Sequence, residues 1–176
     1  KEYDLSLRGL SDALQTEDGP LRLEFGELFS LLRSPVEQIA SAAHKTLSFE
    51  VKGRCSFRTG HVYELLSVFR NLFTNAVEAS KNDQVFIQVT LEETADEILC
   101  TVTDHGQGIP PDALSQIFDA GFSTKINYET GEISRGLGLN IVKGIVEENL
   151  GGCIHADSRP GNTCFSIRLP KETLEG

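Results

Sequence analysis

The sequence predicts an α/β protein, a two-layer sandwich in which helices cover one face of a mixed sheet. Two long segments, at 27–45 and about 61–80, have the apolar spacing of amphipathic helices. The predicted strands at 84–93 and 97–104 alternate apolar and polar residues and do not run continuously apolar. Such strands bury only one face of a sheet, so the helices are expected to pack on that face alone.

The first half of the chain predicts most of the helical layer. Apolar residues recur at helical spacing in three stretches, and the strands between them alternate in polarity. The elements expected here are a helical stretch at 4–15, a linker at 16–20, an extended piece at 21–25, a helix at 27–45, strands at 47–51 and 55–58, and a helix at 61–80. Pro35 lies inside the second helix and is expected to kink it, or to restart it after Ser34.

The second half predicts a hairpin, a long loop, and a final helix followed by two strands. Gly151 and Gly152 are a stop signal for that helix. The loop is rich in glycine and polar residues, which in a compact domain indicates a functional or mobile segment. The elements expected here are strands at 84–93 and 97–104, a short helix at 111–118, a helix at 137–149, and strands at 153–157 and 163–169.

The charge and hydropathy restrict the class of partner. The formal net charge of the 176 residues is −10, which argues against a surface that binds nucleic acid or anionic lipid, because these attract clustered Lys and Arg. A nucleotide remains possible, since a few local donors can outweigh the overall field. No apolar run approaches the roughly 18 residues that a membrane helix needs.

The cysteines do not indicate a metal site. They are widely spaced, with no C-x-x-C pair and no paired histidine spacing that would suggest zinc. Reduced core thiols in a reducing cytoplasm are the expected state. The four residues are Cys55, Cys100, Cys153 and Cys164.

Three polar residues share one face of the predicted helix at 61–80. Asn71, Asn75 and Glu78 stand at i, i+4 and i+7, among apolar neighbours. An asparagine carbonyl is a neutral oxygen ligand of the kind that Mg²⁺ accepts while it keeps waters and shares substrate phosphates. Asn75 is therefore a candidate magnesium ligand. The alternative is that these side chains face solvent or cap the helix.

The run DHGQGI follows a predicted strand, so Asp104 stands where the strand ends. A carboxylate there could accept a hydrogen bond from the exocyclic amine of adenine, while Gly106 and Gly108 permit close backbone approach or positive φ. The same letters also describe an ordinary tight turn, and that alternative remains open.

Two further phrases have residues suited to phosphate. The run SRGLGL opens the last predicted helix, where unpaired N–H groups and the helix dipole favour phosphate; the alternative is a hinge before a helix start. In IFDAGFSTK, an aromatic residue precedes hydroxyls and Lys125. Lys125 and Arg135 could pair with phosphates as the loop closes, or could be solvated surface charges.

In order, NLFTNAVEAS, DHGQGI, IFDAGFSTK and RGLGLNIVKGIVEENLGG resemble the N, first glycine, F and second glycine boxes of sensor histidine kinases. The resemblance extends over about 21–170. Its last strand, TCFSIRLP, is similar to the family's terminal strand with an adenine-site threonine, here Thr163. GFSTK and RGLGL look most like the branch that contains citrate and dicarboxylate sensor kinases.

This resemblance implies the Bergerat fold, the sandwich shared with gyrase, MutL and Hsp90 ATPases, with a flexible ATP lid between the F and second glycine boxes. It implies ATP and Mg²⁺ as cofactors, with Asp104 on adenine and Asn75 on the metal. The nucleotide-binding residues that it implies are Asn75, Asp104, Gly106, Gly108, Ile109, Phe118, Thr124, Lys125, Gly136, Leu137, Gly138, Leu139 and Thr163.

The resemblance also bears on the reaction. Hydrolysing relatives have a glutamate base where this chain has Asn71, which is a poor base, so phosphoryl transfer is favoured over water activation. Asn71, Lys125 and Arg135 are the expected catalytic residues. Some relatives have a phosphate-contacting lysine where this chain has Glu78, so that contact is not carried over.

None of the four histidines stands in a sequence like the family's phosphoacceptor box. The chain is therefore expected to be a cytoplasmic catalytic fragment, for which a membrane-bound receptor is one suitable parent, with the end of a dimerisation helix and a linker at 1–20, the catalytic domain at 21–170 and a tail at 171–176. Its expected partners are ATP, the dimerisation and histidine-phosphotransfer domain of the same homodimeric kinase, and a response regulator, with neither nucleic acid nor membrane in contact. The alternative function is a Bergerat ATPase, acting as a conformational clamp, or a nucleotide-regulated interaction module.

Overall fold

A computed structural model describes residues 22–80, 82–119 and 139–174. The helix end and linker expected at 1–20 lie outside these ranges, as does the expected lid. In chain order the elements are β1 (Leu23–Glu24), α1 (Phe25–Ala42), β2 (Thr46–Gly53), β3 (Arg58–Thr59), α2 (Val62–Ala79), β4 (Gln84–Glu93), β5 (Glu97–Asp104), α3 (Pro111–Leu114), α4 (Leu139–Gly144), β6 (Cys153–Arg159), β7 (Asn162–Pro170) and α5 (Lys171–Leu174). A π-helical turn, Ile145–Asn149, continues α4.

The main sheet has five strands in the order β2-β4-β5-β7-β6. β2 is parallel to β4, and the remaining pairs are antiparallel, so the sheet is mixed as expected. In β5 every second residue is buried, and the helices pack over this buried face. The predicted α/β sandwich with helices on one face is therefore confirmed.

Aromatic rings hold the two long helices together and to the sheet. Phe29 of α1 meets Phe69 of α2 edge to face, with ring centroids 4.8 Å apart. Phe73 of α2 meets Phe49 of β2 in the same way at 5.2 Å. Such pairs add roughly 0.5–1.5 kcal/mol beyond the area that they bury. The polar residues Asn71, Asn75 and Glu78 lie on the face of α2 opposite this aromatic cluster.

The helix α1 continues through Pro35, so the restart expected after Ser34 does not occur. Leu32, Val36 and Ile39 are buried on both sides of the proline, and their packing outweighs the one backbone hydrogen bond that proline cannot donate. The helix begins at Phe25, where Glu24 and Glu27 form a capping box.

Several expected elements end earlier than predicted, including the first strand, which covers only Leu23–Glu24, and the helix expected to reach 45, which ends at Ala42. Only Arg58–Thr59 pairs as a strand near the segment expected at 55–58, because the backbone N–H of Ser56 donates to Glu93 Oε1 at 2.9 Å and takes no place in a ladder. The helix expected at 111–118 ends at Leu114 and is followed by turns. A helix this short gains few hydrogen bonds to offset the cost of its nucleation, so it does not extend further.

The stretch expected as a tail at 171–176 begins as a packed helix, α5. Leu174 is fully buried, and the buried hydroxyl of Thr59 donates to its carbonyl oxygen at 3.2 Å. The packed body therefore extends to residue 174. Within the described ranges, no helix is both long enough and apolar enough to cross a bilayer.

Candidate functional site

A cavity of about 290 Å³ opens between α2, the end of β5, the start of β7 and the loop after β5. Its lining combines polar side chains from the helix, the strand ends and the loop with apolar side chains. Six of the nucleotide-binding residues that the sequence implied line this cavity: Asn75, Asp104, Gly108, Ile109, Leu139 and Thr163. The fold thus brings together motifs that are far apart in the chain.

Asp104 and Thr163 form the polar wall. They are cross-strand partners in the β5–β7 ladder, and their exposed fractions are only 5% and 4%. Asp104 Oδ1 accepts the backbone N–H of Gly106 at 2.9 Å. Burial raises the pKa of Asp104, and the Gly106 N–H and the nearby His105 oppose this rise. The second carboxylate oxygen leaves capacity for a ligand donor.

The glycine loop after Asp104 packs tightly against the elements on both sides. A Cβ at Gly106 would lie 2.8 Å from the carbonyl oxygen of Ala79, and the N–H of Gln107 donates to that same oxygen at 3.1 Å. Gly108 has φ +81°, and a Cβ there would lie 2.6 Å from the carbonyl oxygen of Arg159. Close approach therefore requires glycine at both positions, and Gly108 also has a φ that favours glycine.

Asn75 presents its amide to the cavity from α2. Its side-chain nitrogen is buried and has no hydrogen-bond partner among the described residues. The oxygen and nitrogen of an amide are distinguished only by their partners, so the group can turn its oxygen toward a ligand. In the described ranges no group of three or more His, Cys, Asp or Glu could hold a metal ion. One neutral oxygen suits Mg²⁺, which completes its shell with water and substrate phosphates.

Asn71 is not brought to the cavity, although its spacing put it on the same face of the helix. Its side-chain N–H donates to the carbonyl oxygen of Ser67, one turn earlier, at 2.8 Å. Glu78 does line the cavity, at the exposed end of α2. The side chains at i, i+4 and i+7 therefore have different environments.

Phe118 supports the cavity wall from outside. Its ring meets Phe165, a wall residue, edge to face with centroids 6.3 Å apart. Lys143 Nζ lies 5.6 Å from the centre of the Phe118 ring. The remaining residues suggested by the sequence lie outside the described residues: Thr124, Lys125, Arg135, Gly136, Leu137 and Gly138.

Ser158 is a site residue that the sequence did not reveal. Its Oγ accepts the backbone N–H of Ile109 at 2.7 Å and lies 2.8 Å from Thr163 Oγ1. The β6–β7 ladder places it opposite Thr163. The one sequence signal was the Pro160-Gly161 turn, which sets the register of this hairpin.

Residues 60–173 match the family described as histidine kinase-, DNA gyrase B-, and HSP90-like ATPase. The chain belongs to this ATPase-like family. The matched region contains the whole cavity, and family membership implies that the domain uses a nucleotide.

Sensor histidine kinases are among the relatives of this family member. The chain is 32% identical to the sensor histidine kinase GlnK of Bacillus subtilis (strain 168), over 99% of this chain and 42% of that protein. It is 33% identical to the sensor histidine kinase DcuS of Escherichia coli (strain K12), over 94% of this chain and 31% of that protein. These relatives confirm the resemblance to sensor histidine kinases. They also confirm the citrate and dicarboxylate sensor branch that GFSTK and RGLGL indicated. The chain spans less than half the length of both curated relatives.

The fold also agrees with a solved structure. The catalytic domain of the histidine kinase ThkA superposes with a TM-score of 0.67 at 24% identity, covering 85% of this chain and 96% of that one. At this identity the likeness establishes the fold alone. The matched family and the curated relatives make this family member an ATP-binding catalytic domain of the sensor histidine kinase type.

Proposed function

We propose that this domain binds Mg-ATP in the cavity and transfers the γ-phosphate to a histidine on a separate dimerisation domain. The observation that supports this most directly is the buried pair of Asp104 and Thr163 at the end of a cavity that Asn75 also lines. A buried carboxylate whose pKa is raised by burial, inside a pocket, is typical of a functional group, because burying it costs stability.

In this proposal Asp104 accepts the adenine amine, and Gly106, Gly108 and Ile109 bring the backbone against the base. Asn75 would hold Mg²⁺ through its amide oxygen. The ion supplies neutralisation of the charge that develops on the transferred phosphoryl group. Gly136, Leu137 and Gly138, which precede the start of α4 at Leu139, would receive phosphates, and Thr124, Lys125 and Arg135 would contribute further phosphate contacts. Phe118 would support the cavity through its contact with Phe165.

Transfer to histidine is favoured over hydrolysis because Asn71 is an amide and is engaged by its own helix. A neutral amide does not take a proton from water. The remaining contribution of the site is to position the γ-phosphate and to stabilise its charge. A histidine delivered by another domain can then accept the phosphate.

The partners follow from the same proposal. The acceptor is the dimerisation and histidine-phosphotransfer domain of the same kinase, which would act as a homodimer, with a response regulator downstream. The net charge of −10 argues against nucleic acid as a partner, whereas a nucleotide can still be held by a few local donors. A position on the cytoplasmic side is also proposed.

A titration of ADP into the wild type and Asp104→Asn tests the binding step. Loss of the charge-assisted bond should weaken binding by about 1.5–3 kcal/mol, or roughly ten- to a hundredfold. Asp157→Asn is the matched control, since Asp157 is exposed on β6 away from the cavity. Equal affinity in the wild type and Asp104→Asn would refute the proposed adenine contact.

A transfer assay tests the reaction itself. The chain, a purified histidine-bearing dimerisation domain and γ-labelled Mg-ATP should yield labelled acceptor, and Asn75→Ala should abolish the label. ADP binding without any transfer would argue against a kinase.

Hydrolysis is the second candidate, and Glu78 is the observation that favours it, because this carboxylate lines the cavity. Steady phosphate release without acceptor, abolished by Glu78→Gln, would establish that activity. We expect Glu78→Gln to leave histidine labelling in place.

A further inference from the structure

Ser158 joins the loop after β5 to the polar wall of the cavity. Its hydroxyl oxygen is 2.7 Å from the Ile109 backbone nitrogen and 2.8 Å from Thr163 Oγ1. Thr163 itself lines the cavity and is 4% exposed, whereas Ser158 is not among the lining residues. We propose that Ser158 is a positioning residue that directs the hydroxyl hydrogen of Thr163 into the cavity and so helps the site select its base.

The count of donors supports this direction. A serine hydroxyl has one hydrogen and two acceptor lone pairs. Ser158 already accepts the Ile109 N–H, and the hydrogen that it has to donate finds Thr163 Oγ1 as its acceptor among the described residues. If Thr163 donated instead, two donors would meet at Ser158 and the serine hydrogen would lack a partner there. Each arrangement leaves one of the two hydroxyl hydrogens without a partner among the described residues. Thr163 lines the cavity and Ser158 does not, so only the first arrangement leaves that hydrogen where a ligand in the cavity can accept it.

The resulting wall has a defined pattern of donors and acceptors. Asp104 presents an acceptor, and its cross-strand partner Thr163 presents a donor beside it. This pattern is complementary to an amine next to a bare ring nitrogen, which is the edge that adenine offers. Guanine and hypoxanthine have an oxygen and an N–H at these positions, so both contacts become mismatched. The inference rests on the proposed function, because it assumes that the base enters this end of the cavity.

Ser158 also supports the loop, and a test must separate the two effects. Loss of its hydroxyl would leave the Ile109 N–H without its partner and would weaken the binding of every nucleotide alike. The ring-nitrogen contact, made directly or through one water, affects only ligands that have that nitrogen. The ratio of the affinity for a nucleotide with that ring nitrogen to the affinity for one without it therefore isolates the positioning role of Ser158.

The experiment measures the affinities of ADP and 1-deaza-ADP, which lacks the ring nitrogen next to the amine-bearing carbon. We expect the wild type to bind ADP about tenfold more tightly than 1-deaza-ADP, the size of one hydrogen bond. Ser158→Ala should reduce this ratio to about one, and Ser158→Thr, which keeps the hydroxyl, should restore it. Thr163→Val provides a second, independent variant and should also reduce the ratio.

An unchanged ratio in Ser158→Ala would overturn the inference even if both affinities fell, because the role would then be structural only. If Ser158→Ala does not fold, a wild-type ratio in Thr163→Val would overturn it equally. A wild type that binds no ADP would instead refute the proposed function, and with it this inference.

Discussion

At the scale of single residues, Asp104 illustrates the conflict between folding and binding. The carboxylate is buried at the end of β5 with one backbone donor, Gly106, in contact. Burial raises its pKa because the charged form loses more hydration than the single N–H returns. The same burial makes the group an effective acceptor for a ligand amine, since the interaction is not screened by water.

The raised pKa predicts a pH dependence of stability. Between the ordinary aspartate pKa of 3.8 and the raised folded value, the folded state binds more protons than the unfolded state. Asp104 therefore lowers the free energy of unfolding progressively as pH rises through this window. Urea denaturation of the nucleotide-free protein should show that the stability of Asp104→Asn, relative to the wild type, increases with pH there. A difference that is constant with pH would show that burial does not raise this pKa.

At the scale of elements, the C-terminal end of α2 is held from two sides. Lys45 Nζ donates to the carbonyl oxygens of Val77 and Ser80, at 2.8 and 2.6 Å. On the other side, the N–H of Gln107 donates to the carbonyl oxygen of Ala79. The carbonyls that a helix end leaves unpaired are thus satisfied by a cation and by the binding loop. The position of the loop therefore depends on the position of α2.

We predict that Lys45→Met lowers the free energy of unfolding by about 1–3 kcal/mol, because two charge-assisted hydrogen bonds to a helix end are lost. Urea denaturation provides the measurement. Lys52→Met is the control, since that side chain is 59% exposed and its nearest carboxylate oxygen, on Glu50, is 3.9 Å away. Similar losses for both substitutions would contradict the role given to Lys45.

Gly108→Ala should weaken ADP binding and destabilise the fold, because the added methyl group would combine a strained φ with a close approach to the Arg159 carbonyl. Gly161→Ala is a matched control, because Gly161 has φ +82° but nothing within 4 Å of an added Cβ. The strain alone costs about 1–2 kcal/mol. Calorimetric titration and urea denaturation should show the larger effects for Gly108→Ala, and equal effects would mean that contact with Arg159 is unimportant.

At the scale of the whole molecule, the sheet and helices enclose one continuous core that extends from Leu23 to Leu174. The final helix α5 adds to this core from the far end of the chain. Its Leu174 is fully buried, and its Lys171 forms an ion pair with Glu93 at 2.7 Å. The first and last elements of the described chain therefore belong to one packed core.

Leu174→Ala should cost about 2–3 kcal/mol of unfolding free energy through loss of buried methyl groups and incomplete collapse of the cavity that they leave. Chemical denaturation of the wild type, Leu174→Ala and Glu172→Ala would test this. Glu172 is exposed on the same helix, and its substitution should have little effect. If Leu174→Ala unfolded at the same midpoint as the wild type, α5 would not be part of the cooperative core.

The sequence by itself determined the elements whose causes are local. The hairpin strands Gln84–Glu93 and Glu97–Asp104 have the predicted bounds, because alternation and a polar turn encode them within one short segment. The order of the motifs also indicated the type of ATP-binding domain without any geometry. Asp104 and Asn75 were predicted as site residues from the order of the four motifs, since each residue alone also fits a turn or a helix surface.

Only the tertiary structure decided which of these groups meet. Asn71 shares the helix face of Asn75, yet its amide turns back to Ser67, and this choice depends on rotamers that spacing does not encode. Ser158 reaches Thr163 and Ile109 only through strand register and loop packing. The physical reason is that propensity and periodicity act over a few residues, whereas the cavity is formed by contacts between segments far apart in the chain.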